Sequence, residues 1–574
     1  MASRMLLSRG ANAVAGCPIS CLMAAYKKNE KNGITECTQV LELLLDKGVD
    51  INRKCAEHGS ALNEAINVWL REGTRSFFDL VVRRNPDIEL DDGREGTPLQ
   101  AACGYSYAPR RKEAVSALLR LGVDPNVQGG QYGNALQKAC YQTDYESGVV
   151  DVLLNNGAEI NWKGGCYGTA LHAACVRSTP EPELVNMLLS RGADVHIHGG
   201  EYGSVLQAVT SVPTSFPKET ALIVQKLIDS GADVNAPGGK FGSALQAAAC
   251  SPAPKSDAES VEELLLRRGA DVSMQGGMYG TALQGACAGG NIRPVRLLLS
   301  YGAEINIEGG RYGTALQAAC ANEYYYPKQN YDLARLLINH GADIHVQSGQ
   351  FGSAWHAAAA MQDIGNQAYD TLKLLLDNGV DVNHCHSQHG TALQAALEHT
   401  KRNVETRILL LFENGADVNL GAGLHGFPLQ SACLAPTDDP NRLNTHGLAY
   451  LLDNCADVNV NQTGGLFGTA LQAAAYTGKT EGVNMLLEKG ADVNLRGGKY
   501  KSALNAAAVK GYWDIVEILL KAGAKADCYL LSEVDEEWLE GVGKEDGHSA
   551  VERYRNFWDK VRLYEDEYAE GKAI

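Results

Sequence analysis

This sequence predicts an all-α repeat solenoid, about fourteen stacked and curved helix–turn–helix–hairpin units. Three observations carry that prediction. A phrase recurs, most cleanly as Gly276-Gly277-Met278-Tyr279-Gly280-Thr281-Ala282-Leu283-Gln284 and again from Gly309 to Gln317. The threonines of these two copies lie 33 residues apart, a period typical of stacked repeats. Counting the same position along the chain gives Ser20, Ser60, Thr97, Asn134, Thr169, Ser204, Ser243, Thr281, Thr314, Ser353, Thr391, Phe427, Thr469 and Ser502, and all but Phe427 have a side chain able to cap a helix.

One unit, Thr469 to Lys501, shows how each element follows from its residues. Thr469 is a helix N-cap, and Gln472 stands three residues later, where a capping box places its reciprocal partner. The first helix runs from Ala470 to about Tyr476 and is rich in alanine, which lets neighbouring helices approach closely. After the turn Thr477-Gly478-Lys479, a second helix turns Val483, Met485, Leu486 and Leu487 toward the core. Gly490 ends that helix in the left-handed region. Ala491 to Leu495 is then extended, and Gly497-Gly498 forms the tip of a hairpin that returns to the next cap. Extra residues collect in the turn between the helices, at Val209–Thr220, Cys250–Ser260, Ala321–Tyr331 and Leu434–Gly447.

The start T-[AP]-L-[QH]-x-A-A and the end L-L-x-x-G-A-D-V-N make this unit resemble the ankyrin repeat. The resemblance covers residues 20–524. The usual His after T-P-L is Gln in most copies and survives as His172 and His356, and the hairpins carry Gly-Gly plus an aromatic where charged residues are usual. This variant resembles the long ankyrin arrays of filamentous fungi, which often follow an NTPase or another signalling domain. The resemblance implies a non-catalytic protein-binding scaffold, with the recognition arm of a larger signalling NTPase as the alternative.

The ends of the chain are read separately. Residues 1–29 carry four basic residues and no acid, like a transit peptide, yet Leu6 to Val14 aligns with Leu188 to Val195, the end of a second helix. Residues 1–19 are therefore expected to be an incomplete repeat end, which suggests a fragment of a longer product. Residues 525–574 form an acidic C-terminal segment. Val551, Tyr554, Trp558 and Val561 fall at helical steps there, which favours a capping helix over a solvated tail. The net charge of −17 disfavours nucleic acid, and no apolar run is long enough to span a membrane. Cys103, Cys140, Cys175, Cys287, Cys320 and Cys433 share one phase of the first helix. Stacked helices would hold them too far apart for disulfides, as expected of a monomeric cytoplasmic or nuclear protein.

No motif argues for catalysis or for a cofactor. Ala473-x-x-x-x-Gly478-Lys479-Thr480 imitates a phosphate-binding loop, but it lies at a helix end without the required strand, so Lys479 reads as an ordinary turn lysine. The acids from Asp194 to Asp492 are one repeat position in a row and cannot converge on a substrate. His384, Cys385, His386 and His389 have zinc-ligand chemistry without an evident fourth ligand, and the competing reading is a drifted hairpin with exposed imidazoles.

Surface positions remain. The hairpin aromatics Tyr132, Tyr167, Tyr202, Phe241, Tyr279, Tyr312, Phe351, Phe467 and Tyr500 read as a packing ladder. The residue before each aromatic varies freely, which nominates Gln131, Glu201, Lys240, Met278, Arg311 and Gln350 as partner-reading positions. Tyr324, Tyr325 and Tyr326, in a long turn, are the second set. Asn85 and Cys455 stand where a helix-ending glycine is expected, and Phe427-Pro428 loses a cap but gains a first-turn proline. The array is therefore expected to be weakest near Phe427–Cys455.

Overall fold

The computed structural model describes residues 33–525, except 47, 55–58, 94, 105–109, 143–147, 214–215, 252–259, 322–329, 362–366, 400–403, 436–445 and 456. The N-terminal repeat end, Ser20, Tyr324 to Tyr326 and the acidic C-terminal segment lie outside the described residues. The described secondary structure is helical apart from one two-stranded pairing, Cys385–His386 with Gly390–Thr391.

Two compact units make up the chain, residues 1–282 with 300–303, and residues 283–299 with 304–574. In the first unit, short helices such as Pro98–Cys103, Ala135–Gln142 and Ala170–Cys175 alternate with Arg111–Arg120, Val149–Asn155 and Pro182–Ser190. In the second, Ala315–Cys320, Ala354–Ala360 and Ala470–Thr477 alternate with Asn330–Asn339, Gln367–Asp377 and Thr480–Glu488. The first helices are buried almost throughout: Leu316, Ala319 and Cys320, and Leu333 and Leu337 of the second helix packed against theirs, are all without solvent contact or nearly so. Short alanine-rich helices supply little apolar area each, so their stability comes from being covered on both sides by the neighbouring repeats.

The cap residues do what their chemistry dictates. Thr314 Oγ1 accepts from the Gln317 N–H at 3.2 Å, and Gln317 Oε1 accepts from the Thr314 N–H at 2.7 Å. The same complete box forms at Thr97 and Ser204. Phe427 has no capping side chain, yet its N–H still donates to Gln430 Oε1 at 2.9 Å, and Pro428 opens the helix.

Beyond the caps, two recurring side chains tie many of the described repeats to the next. The Gln of the T-A-L-Q phrase also donates forward: Gln317 Nε2 reaches the carbonyls of Ser348 and Gly352 at 2.9 and 3.0 Å. Gln100 does the same to Gly129 and Gly133 at 2.8 and 2.9 Å. The Asn of D-V-N forms a second tie. Asn306 Nδ2 donates to Gly341 O at 3.0 Å, and its Oδ1 accepts from the Asp343 N–H at 2.9 Å.

Three sequence expectations are corrected. The segment after Gly490 is a turn at Val493-Asn494, not an extended run, because Asp492 Oδ1 accepts the Asn494 N–H at 2.9 Å. Cys455 does not adopt the left-handed region; among the described non-glycine residues only Asn85 (φ 52°) and Lys501 (φ 66°) do. Asn461, not Asn459, makes the forward tie there, donating to Gly490 O at 3.1 Å, so two extra residues precede it and shift the frame. Lys479 is not an ordinary turn lysine. It is buried, and its Nζ donates to Ala435 O at 3.0 Å at the end of the preceding first helix. Burial lowers its pKa, and the helix-end carbonyls are a favourable place for a cation.

Candidate functional site: the hairpin-tip row

Nine of the described hairpins close on a single bridge. In the copy at Gly276, the Gly276 N–H donates to Gly280 O at 2.8 Å around the three-residue loop Gly277-Met278-Tyr279. Gly277 sits at φ 62°, and a Cβ there would lie 2.1 Å from the carbonyl carbon of Phe241 in the preceding hairpin. Gly165, Gly200, Gly349 and Gly498 are equally close to the preceding aromatic residue. The second glycine therefore sets an approach between hairpins that no side chain allows, besides shaping a turn.

That approach brings the variable positions into direct backbone contact. In the first unit the N–H of Cys166 donates to Gln131 O at 3.0 Å, Glu201 to Cys166 at 3.3 Å, Lys240 to Glu201 at 3.2 Å and Met278 to Lys240 at 3.0 Å. In the second unit Gln350 donates to Arg311 at 3.0 Å, Leu424 to Gln388 at 3.1 Å, Leu466 to Leu424 at 2.9 Å and Lys499 to Leu466 at 2.8 Å. One residue per repeat thus forms a strand-like rung, at the roughly 5 Å spacing of hydrogen-bonded backbones. Gln131, Glu201, Lys240 and Arg311 are exposed, whereas Met278 and Gln350 are half-buried. Arg311 Nε also donates to Gln350 Oε1 at 2.6 Å, so two nominated positions are coupled.

The aromatics stack behind this row as the sequence implied. Ring centroids lie 6.0 Å apart for Tyr132–Tyr167, 6.4 Å for Phe241–Tyr279 and 6.1 Å for Phe467–Tyr500. Two rings were not anticipated. Tyr141 and Tyr476, at the ends of first helices, lie 4.7 and 4.8 Å from Tyr167 and Tyr500. Both stand seven residues after their caps, so the repeat frame itself marks the position.

The histidine hairpin is engaged with the protein itself. His386 Nδ1 accepts from the Gln388 N–H at 3.3 Å, its ring stacks on His389 at 5.2 Å, and His389 Nε2 donates to the Gln350 carbonyl. His384, His386 and His389 are half-buried, not exposed as expected, because His389 takes the ladder position beside Phe351 at 6.2 Å, His386 stacks on His389, and His384 Nε2 lies 3.0 Å from Gln347 Nε2. Among the described residues no group of three His, Cys, Asp or Glu side chains is placed to hold a metal. A second trio, Glu398, His425 and Ser431, escaped sequence reasoning because His425 and Ser431 lie 27 and 33 residues from Glu398 and meet it only in the fold. Ser431 and His425 both bond to Glu398 Oε1, so the hydroxyl is committed to the carboxylate and not to the imidazole. The trio ties repeats together and does not form a nucleophile–base pair.

His172 and His356 replace the forward-donating Gln. His356 Nε2 lies 2.9 Å from Gly390 O, and Ser353 Oγ lies 2.7 Å from His356 Nδ1. A carbonyl only accepts, so Nε2 carries the proton and Nδ1 receives the serine hydroxyl. Burial lowers the pKa of both imidazoles to about 4. The ten described cysteines are free, and burial pushes Cys103, Cys175, Cys320 and Cys433 up to about 12, which makes them poor nucleophiles.

Comparison with known proteins agrees with this architecture. The profile described as ankyrin repeats (3 copies) matches residues 106–198, 245–348, 327–422 and 441–529, more than half of the chain. The chain belongs to the ankyrin-repeat family. Among solved structures it is similar to the human ASB11 ankyrin repeat domain, at 23% identity and a TM-score of 0.33, over 42% of this chain and 96% of that one. No curated protein matches it. Ankyrin repeats are a protein–protein interaction module, and among the described residues no helix is long and apolar enough to cross a membrane.

Proposed function

We propose that this ankyrin chain is a non-catalytic scaffold that binds a partner protein along its hairpin tips and the adjoining ends of its first helices. The tip row carries the proposal: its backbone is hydrogen-bonded from repeat to repeat while its side chains run from Glu201 to Lys240 to Met278. A surface already fixed in this way binds without a large ordering cost. Its free thiols suit a reducing compartment such as the cytoplasm, and the net charge of −17 argues against nucleic acid as the ligand. We take the working form to be a monomer.

The test is affinity capture with the wild type and with the variant Lys240→Glu, Met278→Asp, Arg311→Glu. Lys240 and Arg311 are exposed and Met278 is half-buried, so the unfolding midpoint should stay close to that of the wild type. The expected result is loss of one captured protein from the variant. Identical capture by both forms would remove the tip row as the binding surface.

A further inference from the structure

Basic residues gather at the last hairpin of an acidic chain. Residues 493–513 hold Arg496, Lys499, Lys501 and Lys510 and no Asp or Glu, while the chain as a whole carries −17. Lys499, Lys501 and Lys510 are exposed. Lys510 Nζ lies 4.7 Å from the centre of the Tyr476 ring, Lys499 Nζ lies 5.9 Å from that of Tyr500, and the two rings stack at 4.8 Å. The result is an aromatic plate edged by ammonium groups.

Here the row of backbone bonds between hairpin tips also stops. Lys499 donates its N–H to Leu466 O at 2.8 Å, but among the described residues no N–H reaches the Lys499 carbonyl. The forward-donating Gln is replaced by Asn505, whose shorter side chain turns back to Tyr500 O at 3.2 Å. The last hairpin therefore offers cations and an open backbone acceptor beside the half-buried Tyr476 ring, Tyr500 itself being buried.

We propose that this face is the docking site for the chain's own acidic stretch, residues 533–540. That stretch contains Glu533, Asp535, Glu536, Glu537 and Glu540 with Trp538 and no basic residue. Its carboxylates complement the exposed lysines, and its indole can take an ammonium group on its face. Reach selects this occupant over an outside peptide. The Lys525 N–H donates to Asn494 Oδ1 at 2.8 Å, which fixes residue 525 against the same hairpin. Residue 533 is eight residues further and can stand at most about 29 Å away. A tether that short holds its acids at an effective concentration on the order of millimolar.

Carbodiimide cross-linking of the full chain tests this, using an equal mixture of unlabelled and nitrogen-15-labelled protein. The expected products are amides joining Lys499, Lys501 or Lys510 to carboxylates of 533–540, in peptides that are wholly light or wholly heavy. They should be lost at about 0.5 M NaCl, where the Debye length falls to about 4 Å. They should also be lost in Asp535→Asn, Glu536→Gln, Glu537→Gln, whose changes lie outside the repeats. Hydrogen exchange over residues 496–501 should quicken in that variant. Mixed-mass links would assign the stretch to a second copy. Such links, no links at all, or links indifferent to both salt and neutralisation would each overturn the proposal.

Discussion

The hairpins at Gly276–Gly280 and His386–Gly390 occupy the same place in their repeats and reach their neighbours by different means. In the first, Gly277 lets the backbone come so close that Met278 donates directly to Lys240. In the second, Ser387 replaces that glycine, and the Gln388 N–H turns to His386 Nδ1 instead. The bond to the preceding hairpin then comes from a side chain, His389 Nε2 to the Gln350 carbonyl. Its own strands pair over two residues, Cys385 with Thr391 and His386 with Gly390, where the Gly276 hairpin has a single bridge. Contact between repeats is backbone to backbone where glycine permits it, and imidazoles take over where it does not.

The largest expected effect breaks the regular hairpin. Gly277→Ala puts a Cβ 2.1 Å from Phe241 C at a φ of 62°, and should cost about 3 kcal/mol through overpacking and left-handed strain. Urea unfolding checks this; a midpoint equal to wild type would mean the close approach is not needed. Gln317→Ala comes next. It removes the side-chain donor to the carbonyls of Ser348 and Gly352 and the acceptor of the Thr314 N–H, at a cost of about 2 kcal/mol, although Gly352 O keeps the Ser348 N–H at 2.8 Å. Gln317→His should recover part of that loss, since His172 and His356 already serve this position.

A pH titration sharpens the comparison at the histidine hairpin. The His356 pKa is lowered from 6.5 to about 4 by burial, so the unfolded chain binds the proton more readily than the folded one. Its contribution is fully present above pH 6.5 and is lost as pH falls toward 4, with a slope of at most about 1.4 kcal/mol per pH unit. His356→Gln should flatten the fall between pH 6.5 and 5, and an unchanged slope would assign it to other groups. The smallest effect is that of Ser387→Gly. Stability should change by no more than about 0.5 kcal/mol, because the glycine's entropy offsets the added rung. Exchange at the Gln388 amide should nevertheless slow if its N–H moves to Gln350 O.

Much of the fold was legible because caps and periods are local. Thr314 and Gln317 lie three residues apart, so one turn of helix decides whether they meet. The forward bonds of the same Gln were not legible, since their acceptors at 348 and 352 belong to the next repeat. The frame counted forward from the helix misplaced Cys455, whereas counting back from Gly464 reaches Asn461, the residue that makes the tie. The expected weakness near Phe427–Cys455 thus loses its left-handed cysteine. The Phe427 ring also fills space there, since a Cβ on Gly421 would lie 2.5 Å from it. Lys479 was misread for a similar reason: nothing local announces that a turn lysine will be covered by the preceding repeat.

The candidate site divides along the same line. Sequence alone located the variable row, because variation between constant letters is visible in any repeat. It could not show that the rungs are hydrogen-bonded, that Arg311 and Gln350 are joined, or that Tyr141 and Tyr476 enter the aromatic stack. The sequence by itself determined the repeat, its caps and most of its helix ends, all of which rest on spacing within one repeat. Only the tertiary structure decided how the units touch. Carbonyls in one repeat meet donors about 30 residues away, and that distance is closed by packing rather than by local geometry.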